Sequence, residues 1–241
     1  MLYKTKGIVL HSTKYSETSL IVKVFTENFG LQSYIIRSAR SKKSKMKAGI
    51  FQPLTLLEFI AYHKKKSKLQ TLKEIITCNQ FDNIPYNIKK SSVALFIAEV
   101  LNKAIREEEQ NVPLFEYIYS TVQLLDKKEG RISEFHLYFL LDLTKFLGFY
   151  PHNNYTESNN IFNLYDGRFQ EYIHVHKYYI DKELSISLNK LIEISYENLD
   201  VIGISPLIRK KLINKILDYY RIHLSGFNTV QSHLVLENIF N

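Results

Sequence analysis

The residues best suited to chemistry in this sequence are lysines and arginines that cluster in its first third. Residues 1–75 hold 15 basic and only four acidic side chains, whereas residues 76–241 hold 17 basic and 20 acidic ones. The whole positive excess of +8 therefore lies near the amino end. Such a local charge of one sign predicts a module that binds a polyanion, and a cationic face kept for solubility is the alternative.

Two cationic runs, residues 38–49 and residues 63–68, contain no acidic residue. Serine and glycine between the cations of the first run favour a segment that can follow a phosphate backbone. Lysine outnumbers arginine, and it binds phosphate as a point charge rather than as a fork that reads base edges, so we expect weak sequence preference. The predicted nucleic-acid-binding cations are Lys14, Lys23, Arg37, Arg40, Lys42, Lys43, Lys45, Lys47, Lys64, Lys65, Lys66 and Lys68.

Three aromatic residues near these cations are candidates for stacking on nucleobases, namely Tyr15, Phe25 and Tyr34. Stacking tolerates any base, because every base has a π face. Phe25 and Tyr34 lie within predicted strands, however, so a place in the barrel core is the alternative for each of them.

The sequence predicts short strands as the elements that position these side chains. Alternating and β-branched apolar residues predict strands that begin near Gly7, Leu20, Leu31, Pro53 and Leu69. No helix of convincing length lies among them. Five strands in about 75 residues favour a small closed barrel, and the five-stranded barrel that commonly binds nucleic acid is the OB-fold.

The remaining two thirds show the apolar spacing of helices. Between residues 151 and 181 that spacing breaks, and Asp166-Gly167 predicts a hairpin with a type I′ turn. We therefore predict an α+β protein. An OB-fold barrel at residues 1–79 precedes an α-helical domain at residues 80–241, and residues 151–181 form a small hairpin inserted in that domain.

No arrangement of residues indicates catalysis. The sequence lacks a phosphate-binding glycine loop, a nucleophile elbow and a dinucleotide fingerprint. Glu107, Glu108 and Glu109 are acidic, but a solvated face explains them better than a metal site. His174 and His176 would share one face of a strand, yet no third ligand has a recognisable spacing. We predict no enzymatic activity, no metal and no cofactor.

Composition excludes other classes of protein. With 45% apolar and 23% charged residues the chain can bury a core, which excludes a disordered tail protein. Cys78 is the only cysteine, so a disulfide scaffold is excluded. A single thiol and the absence of an export signal at the amino end favour the cytoplasm. No apolar run is long enough for a spanning helix, so no membrane association is expected.

A set of short motifs in this order resembles the RecO family of bacterial DNA repair proteins. Each motif is modest, but the ordered set covers almost the full chain. The motifs are Lys6–Leu10, Tyr15–Ser19, Phe25–Gly30, Lys47–Leu54, Leu147–Pro151 and Leu217–Phe227. The resemblance implies an OB-fold, a helical domain and a non-enzymatic role in recombinational repair, with the protein associated with the nucleoid.

The resemblance also implies partners. Members of the family bind single- and double-stranded DNA, anneal complementary strands, and with RecR help to load the RecA recombinase on DNA coated by single-stranded DNA-binding protein. They also bind the acidic C-terminal tail of that protein. Here an apolar groove beside Arg209, Lys210 and Lys211 is the candidate site for the tail, and a solvated helix face is the alternative.

Two further points follow from this likeness. Many members carry a four-cysteine zinc site in the insertion after the Gly-Phe-Tyr-Pro stretch, but residues 151–181 contain no cysteine, so zinc is not expected here. An OB-fold that binds RNA, or an adaptor whose basic face meets acidic protein, remains the alternative function.

Overall fold

The computed structural model describes residues 1–41, 46–64, 67–79, 81–172 and 176–240. The chain divides into two compact units, residues 1–127 and residues 128–241. The first contains a five-stranded closed barrel and two helices, and the second contains helices and a small sheet. The predicted α+β class, with an OB-like barrel at the amino end, is thus confirmed. The proposed domain boundary after residue 79 coincides with the end of the last barrel strand and stays a prediction.

The barrel strands follow the order β1-β2-β3-β5-β4, and every neighbouring pair is antiparallel except β3 and β5. β1 starts earlier than the sequence predicts, because its first half pairs with β4 while its second half pairs with β2. The strands are β1 (Leu2–Lys14), β2 (Leu20–Thr26), β3 (Gly30–Ile36), β4 (Leu56–Tyr62) and β5 (Gln70–Asn79).

The barrel core consists of the inward-facing side chains of these strands. Successive side chains of a strand point to opposite faces, so Val22 and Val24 of β2 lie inside while Lys23 lies outside. Gly7 of β1 lies where a side chain has no room, since a Cβ there would lie 2.5 Å from Cγ1 of Val24. Removal of this apolar surface from water is the main force that closes the barrel.

One short helix and two long ones complete the first unit. A 3₁₀ helix (Ala48–Phe51) inserts the Phe51 ring into the barrel core, and α1 (Ile88–Ala104) and α2 (Val112–Lys127) follow the barrel. Buried Asp126, near the end of α2, accepts hydrogen bonds from the backbone N–H groups of residues 82, 83 and 84 at 2.8–3.0 Å. Nζ of Lys90 donates to the backbone oxygen of Asp126 at 2.6 Å. These contacts fasten the segment after the barrel to both helices.

In the second unit, α3 packs against α4 and α5, and a small sheet lies beside them. α3 is apolar over nearly its whole surface and is buried, as its sequence predicts. The elements are α3 (Phe135–Leu147), β6 (Ile161–Asn163), β7 (Arg168–Gln170), β8 (Tyr179–Ile180), α4 (Lys182–Glu193), a 3₁₀ helix (Tyr196–Val201), α5 (Pro206–His223) and α6 (His233–Ile239).

The inserted hairpin exists, but its turn differs from the prediction. β6 ends at Asn163 and β7 begins at Arg168, so four residues connect them instead of two, and only Gly167 of the Asp-Gly pair has a positive φ (64°). The Asn163 carboxamide oxygen accepts from the N–H of Tyr165 at 2.9 Å, and this local bond sets the wider turn. β8 adds a third strand.

Aromatic packing stabilises this sheet. The Phe162 and Phe169 rings meet edge to face with centroids 5.0 Å apart, and Phe162 also contacts the Tyr219 ring of α5 at 5.7 Å. Phe162 and Phe169 are both buried. Among the described residues, no helix has the length and apolar character needed to cross a membrane.

Candidate nucleic-acid interface

The antiparallel topology sends the connecting segments of the barrel to two opposite ends. Residues 15–19, 37–41 and 46–55 lie at one end, here called the β3–β4 end, where the backbone N–H of Arg40 donates to the Thr18 oxygen at 3.0 Å. Residues 27–29, 63–64 and 67–69 lie at the other, the β4–β5 end, where the Asn28 amide donates to the Lys4 backbone oxygen at 3.3 Å. Seven-residue strands separate the ends by roughly 20 Å.

The fold distributes the predicted cations between these ends and the face that joins them. Lys23 lies on the outer face of β2, and Lys64 and Lys68 belong to the β4–β5 end. The β3–β4 end holds the larger group, consisting of Lys14, Arg37, Arg40 and Lys47. Five further predicted cations lie outside the described residues, namely Lys42, Lys43, Lys45, Lys65 and Lys66.

Lys23 belongs to a polar row across the outside of the barrel. It pairs in register with His11 of β1 and with Ser33 of β3, and paired residues of antiparallel strands share a face. Two residues along the strands, Thr13, Ile21 and Ile35 form a second row. This face of β1, β2 and β3 adjoins the β3–β4 end, and it includes the surface through which OB-folds bind oligonucleotides.

The seven described cations of this interface share one electrostatic property: none forms an ion pair with a carboxylate of another described residue. Six of these side chains are exposed, and Lys23 is half-buried. Other barrel cations differ, since Lys4 pairs with Glu58 at 2.8 Å and Lys6 with Glu27 at 3.8 Å. The hydrogen bond from Lys4 lowers the pKa of Glu58 below its ordinary value. The interface cations therefore remain available for phosphate groups.

Two of the three predicted stacking residues are buried, which corrects that prediction. Tyr15 is 61% exposed at the β3–β4 end and can meet a base. Tyr34 lies inside the barrel against Phe59, and burial raises the pKa of its hydroxyl. Phe25 does point outward, but Phe115 of α2 covers it with ring centroids 6.0 Å apart. The alternation of side chains along a strand does not predict that a helix will cover an outward-facing residue.

Gln70 is a positioning residue that the sequence pattern did not indicate. Its side chain is buried at the start of β5, and its Nε2 donates to the backbone oxygens of Lys64 at 3.0 Å and Ser67 at 2.7 Å. Its Oε1 accepts from the Lys64 N–H at 2.9 Å. These bonds fix the backbone that carries Lys64. The available signal was a glutamine at an inward-facing strand position.

The three cations predicted on α5 as a partner-tail site have different surroundings. Arg209 is a structural residue, which corrects the prediction for this position. Arg209 is buried, contacts Glu134 at 3.2 Å, and donates to the Ile204 backbone oxygen at 2.6 Å. Lys210 pairs with Glu237 at 3.0 Å. Lys211 is exposed. Three residues adjacent in sequence point in different directions around a helix, because successive positions are about 100° apart.

A groove of about 520 Å³ does lie beside Lys210 and Lys211. Leu184 and Leu207 supply its apolar lining, and Leu207 is 62% exposed. The other residues that line it are polar, namely Asp181, Asn214, Lys215 and Asp218. The lining is therefore mostly polar, and the apolar groove for a partner tail stays a prediction.

Of the two histidines considered as metal ligands, the structure describes His176. Nδ1 of His176 accepts a hydrogen bond from the Tyr178 N–H at 3.2 Å, and His174 lies outside the described residues. In the part of the chain that the structure describes, no three His, Cys, Asp or Glu side chains form a group that could hold a metal ion.

Comparison with known proteins agrees with this architecture. The model of the N-terminal domain of recombination protein O matches residues 1–81, and that of its C-terminal domain matches residues 85–231. The chain is 38% identical to the DNA repair protein RecO of Bacteroides fragilis, 39% to that of Flavobacterium psychrophilum and 36% to that of Phocaeicola vulgatus. Each match covers 100% of both chains. The chain therefore belongs to the RecO family, and this membership assigns it a role in DNA repair and recombination.

Proposed function

We propose that this protein is a non-enzymatic recombination mediator that binds DNA on the outer face of its barrel. The observation that carries the proposal is the set of seven described cations without carboxylate partners, which occupy both ends of the barrel and, through Lys23, the face between them. Neutralising a phosphate with such a cation releases condensed counterions, and this release drives binding without regard to sequence.

Annealing follows from the same arrangement. Two complementary strands repel each other through their phosphates, and a cationic surface that binds the backbone reduces this repulsion while it leaves base edges free to pair. Such a mechanism consumes no nucleotide and needs no bond-breaking residues. Double-stranded DNA meets the same cations through its own phosphates.

The remaining partners are proposed from family membership and from the groove on the second unit. The acidic C-terminal tail of single-stranded DNA-binding protein suits the groove beside Lys210 and Lys211, where its carboxylates would meet these lysines and an apolar side chain would meet the exposed Leu207. RecR would act with this protein to load RecA on the coated strand, in the cytoplasm and at the nucleoid.

Salt-dependent DNA binding tests the central claim. Replacing Lys14, Arg37, Arg40 and Lys47 by alanine should flatten the log–log dependence of single-strand affinity on salt by about 0.7 for each phosphate that is no longer neutralised. A matched control replaces four cations of the second unit, Lys145, Lys182, Lys190 and Arg221, and should keep the wild-type slope. Equal slopes in all three proteins would remove the barrel from the proposal, as would strand annealing that requires ATP.

A further inference from the structure

A cleft of about 900 Å³ opens at the β3–β4 end of the barrel, within the first compact unit. One wall comes from the segment before β4, with Lys47, Ile50 and Pro53, and the other comes from the chain after β5 and from α1, with Tyr86 and Leu95. The volume lies in the range of sites that bind small organic groups. The binding face of the barrel described above does not include this cleft.

The lining of the cleft includes apolar and aromatic side chains that remain exposed. Tyr86 is 88% exposed and Leu95 is 51% exposed, and the Phe81 ring also lies on the lining. Ile88, on the first turn of α1, is 69% exposed close by in the chain. Contiguous exposed apolar groups beside a concave surface mark binding sites.

Polar groups complete the lining. The side-chain amides of Gln52 and Asn79 are exposed and form no hydrogen bond with another described residue. Asparagine and glutamine amides each offer a donor and an acceptor, the combination that matches base edges. Asp82 also lines the cleft, and its carboxylate disfavours a phosphate inside while it tolerates a neutral ring.

The backbone of one wall is strained. Leu54 has a φ of 64°, a conformation that is unfavourable for a leucine, yet it is fully buried and its N–H donates to the Val9 oxygen at 2.6 Å. Its neighbours Pro53 and Thr55 both line the cleft. Strain of this kind persists only where the surrounding structure holds it in place, and it is concentrated at binding and active sites.

We propose that this cleft receives unpaired nucleobases of single-stranded DNA whose phosphates lie on the cations of the β3–β4 end. Lys47 belongs both to the cleft lining and to that cationic group, so a backbone held there places its bases beside Tyr86. The cations of the β3–β4 end favour a polyanion, and the aromatic and apolar side chains of the cleft favour contact with its bases. The inference rests on the proposed DNA binding and adds a base-binding subsite that duplex DNA, with its bases stacked inside, does not fill.

A tryptophan probe tests the contact directly, because the chain contains no tryptophan. The variant Tyr86→Trp keeps an aromatic ring at an exposed position, so the fold is preserved. Its indole emission should be quenched by a single-stranded oligonucleotide and should change little with an abasic oligonucleotide of equal length. Tyr62→Trp, at the opposite end of the barrel, is the matched control and should respond equally to both.

Affinity provides the second readout. Tyr86→Ala should weaken binding of the base-containing oligonucleotide on the order of tenfold while the salt slope stays that of the wild type, since stacking involves no counterions. Tyr86→Phe should restore the affinity. Unchanged affinity in Tyr86→Ala together with a silent indole would overturn the subsite. Failure of the wild type to bind either oligonucleotide would instead refute the proposed function.

Discussion

The cations of the candidate interface and the arginines that contact Glu134 in the second unit have different surroundings. On the barrel, Arg40 and Lys47 are available to solvent and no described carboxylate pairs with them. In the second unit, Arg131 and Arg209 both contact Glu134, at 2.7 Å and 3.2 Å, and Arg209 is buried. A basic side chain with a carboxylate partner is committed to the fold, whereas one without a partner is available to a ligand. Charge counts along a sequence do not distinguish the two.

The buried partner of Arg209 should give the largest effect. Replacing Glu134 by alanine leaves a buried guanidinium without its carboxylate, and we expect the free energy of unfolding to fall by about 3–5 kcal/mol. Denaturant unfolding measures this loss. Glu237→Ala, which removes the partner of the more exposed Lys210, is the control and should cost about 1 kcal/mol or less. Similar losses in both variants would contradict the distinction.

Acid should weaken the same region of the second unit. Burial, with a smaller effect of Arg209, lowers the pKa of His136 from 6.5 to about 3, so the folded protein keeps this ring neutral while the unfolded chain takes up a proton below pH 6.5. Stability from this group is complete above pH 6.5 and decreases as the pH falls, by about 2 kcal/mol at pH 5. Unfolding titrations of the wild type and His136→Gln between pH 7 and pH 5 measure the difference. Parallel curves for the two proteins would contradict the prediction.

Loss of Gln70 should affect the barrel moderately. Gln70→Ala leaves the backbone groups of Lys64 and Ser67 without their buried partner, which should lower the free energy of unfolding by about 1–3 kcal/mol. Thermal unfolding reports the loss, and DNA affinity should fall with it as the segment that carries Lys64 loosens. Ser67→Ala, which removes one partly buried hydroxyl bond, is the milder control.

Removal of the interface cations should give the smallest change in stability. Lys14, Arg37, Arg40 and Lys47 contact no described carboxylate, so their joint replacement by alanine should change the free energy of unfolding by less than about 0.5 kcal/mol per residue. The same variant should lose DNA affinity. A large loss of stability would show that these side chains support the barrel and are not reserved for phosphate.

The barrel could be predicted from the sequence because its determinants are local. Strand alternation and the position of Gly30, where a positive φ of 60° closes the turn between β2 and β3, are visible in the residues themselves. The scarcity of acidic residues in the first third of the chain also indicates that its cations have few carboxylate partners.

The remaining features depend on tertiary contacts and could not be predicted. Phe25 occupies an outward strand position, and only the arrival of Phe115 from a distant helix buries it. Arg209 continues a basic run, yet its helix turns it toward Glu134, 75 residues earlier in the chain. The cleft combines residues from separate segments of the chain, so no local sequence pattern predicts it.

The contact between Phe25 and Phe115 has a consequence for dissection of the molecule. A fragment that ends where β5 ends would expose the Phe25 ring to water and would lack the Tyr86 and Leu95 wall of the cleft. The barrel is therefore not an independent fragment when the chain is cut after residue 79, the boundary that its sequence suggests. An excised piece that retains the behaviour of the barrel must extend through α2.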